Sequence, residues 1–317
     1  MSNTPPFVTS TVTGNALSRL RLTFIMIPTE IVDHILSSLH SDQDYISLKS
    51  CSVVFPLLVD RHLYSQITFY ISGGTILHSE SYFQPDDTYV VDPTIFFHTM
   101  FDNPHVLDCV RSVRIVLVVM RTLVPRHFEV ISAILPFLTH IESLTLTAIG
   151  RLYVIQSSRT YWPTLGPLFS TVFENCLRLP SLKKAAISEF DGFPLNIFKD
   201  CKSLTSLRLH ELGFVDGGDT STSPYPRLSS LHVGGQLSDW TRITSWSSTL
   251  HDLSLCTRTR FDFPVSRNLI AACSASLVNL ELNCEIYFGG WRKFLRWNEK
   301  LIDNDNDDIQ TPTRSHI

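Results

Sequence analysis

Few residues of this 317-residue chain stand at spacings that could carry out a reaction. His210-Glu211 opens like a zinc-protease helix, but Phe214 holds the place of the second histidine and the pair sits at the end of a predicted strand. Asp303, Asp305 and Asp307 alternate as in a calcium loop, yet Asp308 takes the position that needs glycine and Arg314 the one that needs a bidentate glutamate. Gly217-Gly218-Asp219 has no lysine behind it to hold a phosphate, and neither GxSxG nor GxGxxG occurs. His34, His40 and His62 lack metal-ligand spacing. The seven cysteines (Cys51, Cys109, Cys176, Cys201, Cys256, Cys273 and Cys284) are odd in number and form no CxxC, so they read as buried thiols in a reducing compartment. The sequence assigns no catalytic residue, cofactor or metal ligand, and the expected protein is not an enzyme.

Recognition chemistry is better represented. Arg114, Thr145 and Lys184, then Ser206, Arg208 and His210, Ser230 and His232, Asp252 and Ser254, and Asn279, Glu281 and Asn283 alternate with apolar residues. Period two places alternating residues on opposite faces of a strand, so these polar side chains would share the face away from the core. Arg114, Lys184, Ser206, Arg208, His210, Ser230, His232, Asp252, Asn279 and Glu281 are accordingly the candidates for holding a protein substrate.

The elements that would position them follow from a repeat. Apolar residues spaced three, three and two give Leu107, Val110, Val113, Ile115, and the frame returns as Leu138, Ile141, Leu144, Leu146 and as Leu179, Leu182, Ala185, Ile187. It continues through Cys201, Leu204, Leu207, Leu209 and Tyr225, Leu228, Leu231, Val233, and closes with Leu250, Leu253, Leu255 and Leu277, Leu280, Leu282. The last two residues of each unit lie two apart, on one side of a short strand, and the later units recur about every 22 to 27 residues, which is leucine-rich-repeat spacing. Such units stack into a curved solenoid with a parallel sheet. Longer gaps leave room for helices through Phe128, Ile131 and Leu135, through Leu165, Leu168, Val172 and Cys176, and through Val265, Leu269 and Ala272. Trp291, Phe294 and Leu295 would form a closing amphipathic cap.

Ahead of the repeats the punctuation predicts three short helices. Pro28 and Glu30 suit a first turn, and Ile31, Ile35 and Leu39, widened by Val32 and Leu36, form an apolar stripe. Ser41 with Asp44 has the form of a capping box before Tyr45, Leu48 and Cys51. Pro56 opens a third helix with Val59, Leu63 and Ile67 on one face. A segment of roughly 40 residues is too small to be stable alone, so a partner or the downstream domain must cover it.

Ile27-Pro28-Thr29-Glu30-Ile31, Ile35-Leu36, Leu39, Leu48 to Cys51, Val54-Phe55 and Leu63-Tyr64 resemble an F-box. The wording SCSVVFPLLVDRHLYSQITF, and the lead-in from Asn103-Pro104-His105 to Ile115, are similar to F-box proteins of mushroom-forming fungi. Ile27 stands for the usual leucine and Phe55 for a frequent tryptophan, and both keep a bulky apolar side chain. The resemblance implies docking on a Skp-type adaptor, and through it on a cullin, by Ile27, Pro28, Ile31, Ile35, Leu36, Leu39, Leu48, Cys51, Val54, Phe55 and Leu63. It implies the substrate-recognition subunit of a ubiquitin ligase. The alternative is a repeat scaffold in which the same helices are only a cap.

Net charge of −4, with no Lys/Arg run, argues against nucleic acid, and no apolar run is long enough for a membrane span. The expected location is cytoplasmic, nuclear or both. The expected fold class is α/β: a flexible tail over 1–24, preferred to a transit peptide, a three-helix module over 25–70, a connection over 71–105, an irregular leucine-rich-repeat solenoid with parallel strands over 106–300, and a frayed acidic tail over 301–317. Within the connection a strand is expected at 89–91, then a short helix through Ile95, Phe96 and Met100. The stretch 151–162 reads as an insertion with no assigned element.

Overall fold

The computed structural model describes His34 and residues 55–72, 89–119, 125–150, 159–215, 224–235, 246, 249–257, 262–288 and 291–300. Apart from His34, the first two expected helices, with Ile27, Pro28, Ile31, Ile35, Leu36, Leu39, Leu48 and Cys51, lie outside the described residues, as do Val54, both expected tails and the Asp303 loop. The chain divides into a unit ending at Ser65 and a larger one beginning at Gln66.

In the first unit Pro56 starts a helix as its missing N–H predicts, and α1 runs Phe55–Ser65. Val59, Leu63 and Tyr64 are buried, and the Ser65 hydroxyl donates to the carbonyl of His62 at the last turn.

The second unit opens with β1 (Gln66–Ser72), in which Ile67, Phe69 and Ile71 alternate and are buried. Ile67 is therefore in a strand, not on the third helix where its spacing from Leu63 had placed it. Gln66 to Tyr70, read from the sequence as the end of the helical module, belong to the sheet. β2 (Tyr89–Val91) and α2 (Pro93–Asp102) stand where the sequence places a strand and a helix. The Asp92 carboxylate caps α2 by accepting from the backbone of Thr94 and Ile95, and Phe96 and Met100 are buried while Ile95 is exposed.

The chain continues through α3 (His105–Cys109), β3 (Ser112–Val119), α4 (Pro125–Ile134), β4 (Ser143–Gly150), β5 (Thr160–Tyr161), α5 (Pro167–Leu177), β6 (Lys184–Pro194), β7 (Ser206–Val215), β8 (Ser230–Gly234), β9 (Asp252–Thr257), α6 (Asp262–Cys273), β10 (Asn279–Phe288) and β11 (Trp291–Lys300). The strands form one sheet ordered β11-β10-β9-β8-β7-β6-β4-β3-β1-β2, with β5 on β6. All the pairings are parallel except β10 with β11. The fold is α/β, built on a parallel sheet with few helices.

The repeat frame is the register of this sheet. Val113, Leu144, Ala185, Leu207, Leu231, Leu253 and Leu280 are successive Cα partners, and Ile115, Leu146, Ile187, Leu209, Val233, Leu255 and Leu282 are the next row. Ile67 and Phe69 of β1 extend both rows upstream. One hydrogen bond recurs at each step from β3 to β10: the first residue of each strand donates to the carbonyl just before the previous strand, as in Ser206 to Lys183, Ser230 to Thr205 and Asp252 to Ser229, each at 3.0 Å. A core residue in such a row gains roughly 1.5–3 kcal/mol from burial, which is why a one-residue slip is not tolerated.

Two helices are rotated from their expected faces. Gly166, at φ +84°, separates a turn at Trp162–Leu165 from α5, so the stripe counted across it falls out of phase. Leu165 and Cys176 are buried as expected, but Phe169, Phe173 and Leu177 complete the buried face, while Leu168 is exposed and Val172 half-buried. In α6 the buried residues are Ser266, Leu269 and Cys273, with Val265 half-buried and Ala272 exposed. The segment of the expected amphipathic cap is a strand, β11, with Trp291 opposite Phe288 across the two-glycine link Gly289-Gly290.

Candidate binding surface

The residues between the core rows form three rows on the other face of the sheet. The middle one runs Arg114, Thr145, Ala186, Arg208, His232, Ser254, Glu281. Toward the strand N-termini lies Ser112, Ser143, Lys184, Ser206, Ser230, Asp252, Asn279, and toward the C-termini Val116, Thr147, Ser188, His210, Gly234, Cys256, Asn283. Every substrate candidate from the sequence falls in one of these rows. Lys184, Arg208, Asp252 and Asn279 are exposed; Arg114, Ser206, His210, Ser230, His232 and Glu281 are half-buried.

Charge is divided along the rows. On β9 and β10 the carboxylates are engaged, since Asn279 Nδ2 donates to Asp252 Oδ1 at 2.6 Å and Ser254 Oγ to Glu281 Oε2 at 2.8 Å. On β3, β6 and β7, Arg114, Lys184 and Arg208 make no ion pair among the described residues, and Arg114 Nε is buried without a hydrogen-bond acceptor. His232 lies between the halves. Burial pushes its pKa down to about 4 and the neighbouring Arg208 adds to the fall, with Glu281 opposing, so the imidazole is neutral near pH 7.

Beyond this face the strand ends hold a charged group that the sequence reading missed. Period two would carry Glu189 and Glu211 into the core after Ile187 and Leu209. Both adopt positive φ, 68° and 51°, which switches the parity: Glu189 is half-buried, Glu211 stays buried, and Phe190 and Leu212 are the fully buried residues that follow. Such a conformation costs on the order of 1–3 kcal/mol for a residue with a side chain, so something must hold it. Arg159, just before β5, contacts Glu211 at 2.6 Å and Asp191 at 3.2 Å, with the Arg159 and Glu211 side chains only 15% and 7% exposed. His210 Nδ1 lies 3.7 Å from Glu189. Gly235, at φ +82°, suits this place, since a residue with a Cβ would be strained there and would press on the Glu211 carboxylate. The visible signal was an acidic residue at core parity followed by an apolar one out of parity, twice, at a repeat's separation. Residues 159–162 of the unassigned insertion are thereby placed, and Trp162 packs edge-on against Phe173, Phe190 and Phe193.

Cys176 and Cys201 are buried thiols pushed up to about 12 by burial, and burial raises Cys273 also. Among the described residues no group of His, Cys, Asp and Glu is arranged to hold a metal ion, and no helix is long and apolar enough to cross a membrane. A largely apolar hollow of about 330 Å³ lies under α6, lined by Leu255, Thr257, Ser266, Ile270 and Leu282. It is on the core side, away from the polar rows. Of the expected adaptor-contact residues only Leu63, buried, and Phe55, at the start of α1, fall among the described residues.

No family model, curated protein or solved structure matches this chain.

Proposed function

We propose that the chain is a non-enzymatic substrate-recognition subunit of a cullin-type ubiquitin ligase. Its N-terminal helices dock a Skp-type adaptor, and a leucine-rich-repeat solenoid presents the polar rows to a protein substrate. The observation that carries the adaptor half is the resemblance of Ile27-Pro28-Thr29-Glu30-Ile31, Ile35-Leu36 and Val54-Phe55 to an F-box. The repeat half is supported by the coincidence of the sequence frame with the sheet register from Val113 to Leu280. In such a complex catalysis is proximity: the receptor raises the effective concentration of a target lysine near the ubiquitin-carrying enzyme.

The test is co-purification of the full chain with a Skp-type adaptor, for the wild type and for Pro28→Ala combined with Ile31→Asp. Wild-type binding, lost in a variant with unchanged circular dichroism, is the expected outcome. A folded wild type that ignores the adaptor contradicts the reading. An unfolded variant together with an inert wild type points to the scaffold alternative, in which the helices are a structural cap.

A further inference from the structure

The polar rows have a shape and a charge order that restrict what can lie on them. Between Arg114 on β3 and Arg208 on β7, strands β4 and β6 carry short side chains in these rows: Ser143, Thr145 and Thr147, then Ala186 and Ser188. Ser188 Oγ donates to Thr147 Oγ1 at 3.1 Å, which ties down part of this low floor. Two long cationic side chains flank it, and Lys184 stands at its N-terminal rim.

None of these three cations is matched by an anion of the described residues, whereas neighbouring charges are. Lys183 reaches Glu142 at 3.5 Å, Glu189 faces His210, and Asp252 and Glu281 accept from Asn279 and Ser254. The Arg114 guanidinium is half-buried with Nε lacking an acceptor. That nitrogen is closed to solvent, so a carboxylate from outside would meet the rest of the guanidinium fork, whose planar donors suit bidentate pairing. His232, neutral beside Arg208, adds a hydrogen-bonding group without adding charge.

We infer that the face binds an extended acidic peptide segment of a protein partner, laid across the strands, with carboxylates on Arg114 and on Arg208 with Lys184, and a basic residue toward Glu281. Strand spacing sets the register. Arg114 and Arg208 are three strands apart in one row, about 14 Å, and an extended chain covers that in about four residues. Glu281 lies three strands further along the same row, so the basic residue falls about four positions beyond the second acidic one. The inference rests on the proposed substrate-receptor reading and supplies the chemistry of its substrate.

A fluorescein-labelled peptide of Gly, Ser and Thr, with Glu, Glu and Lys each separated by three residues, is the probe, titrated by fluorescence polarisation against the full chain. The spaced peptide is expected to bind. Arg208→Glu, and separately the exposed Lys184→Glu, should weaken it by about tenfold, and raised salt should weaken it further. Equal affinity for a peptide of the same composition in scrambled order overturns the inference. So does unchanged affinity in Arg208→Glu and Lys184→Glu, or binding only when phosphoserine replaces the glutamates. Adaptor co-purification on the same samples separates the two claims: adaptor bound with the peptide ignored removes the inference alone, and peptide bound with the adaptor ignored removes the receptor reading.

Discussion

The two halves of β6 and β7 are held by different physics. From Lys184 to Ser188 and from Ser206 to His210 the strands obey one alternation, core and polar, in unbroken register with their neighbours. Past Glu189 and Glu211 the parity inverts, the register shifts between Phe190 and Phe193, and buried charge joins buried aromatic rings as the support. A repeat frame specifies its own strands because each row is replicated by its neighbours. Where the frame lapses, particular pairs must do the work, and a single substitution reaches further.

Three changes test that contrast. Leu209→Ala, in a fully buried row, should cost about 2–5 kcal/mol in urea unfolding, the largest effect, because flanking strands leave little room to collapse into the cavity. Arg159→Ala should cost about 3 kcal/mol by taking the guanidinium away from the buried Glu211 carboxylate, and adding Glu211→Gln should recover part of it. If Arg159→Ala is neutral, the second halves of the strands are held by their aromatic contacts alone.

The smallest effect is in pH dependence. The His232 pKa, about 4 in the folded chain against about 6.5 unfolded, is depressed, so between roughly pH 4 and pH 6.5 the unfolded state binds more protons. Stability from this group is full above that window and is lost as pH falls through it. His232→Asn should therefore shrink the gain in urea midpoint between about pH 5 and pH 7. An unchanged gain would mean that the imidazole is better solvated than its place beside Arg208 indicates.

What was legible in the sequence follows the same division. The rows from Val113 to Leu282 were readable because leucines at fixed spacing are the cause of the register, and the polar rows came with them by period two. The β1 strand was hidden because Ile67 lies four residues after Leu63 and also completes a helical stripe. Helix α5 was misphased by Gly166, whose left-handed backbone ends one turn and starts another. The Arg159–Glu211 pair joins residues 52 apart in the chain, so no local spacing could reveal it, although the acidic residues at core parity marked where to look.

If adaptor docking and peptide recognition belong to separate parts of one chain, a crossed binding measurement will separate them. Wild type, Pro28→Ala with Ile31→Asp, and Arg208→Glu are each titrated with a Skp-type adaptor and with the spaced acidic peptide. The N-terminal variant is expected to lose the adaptor and keep the peptide, while Arg208→Glu is expected to keep the adaptor and lose about tenfold on the peptide. Loss of both ligands in either folded variant, or of neither in both, contradicts that separation.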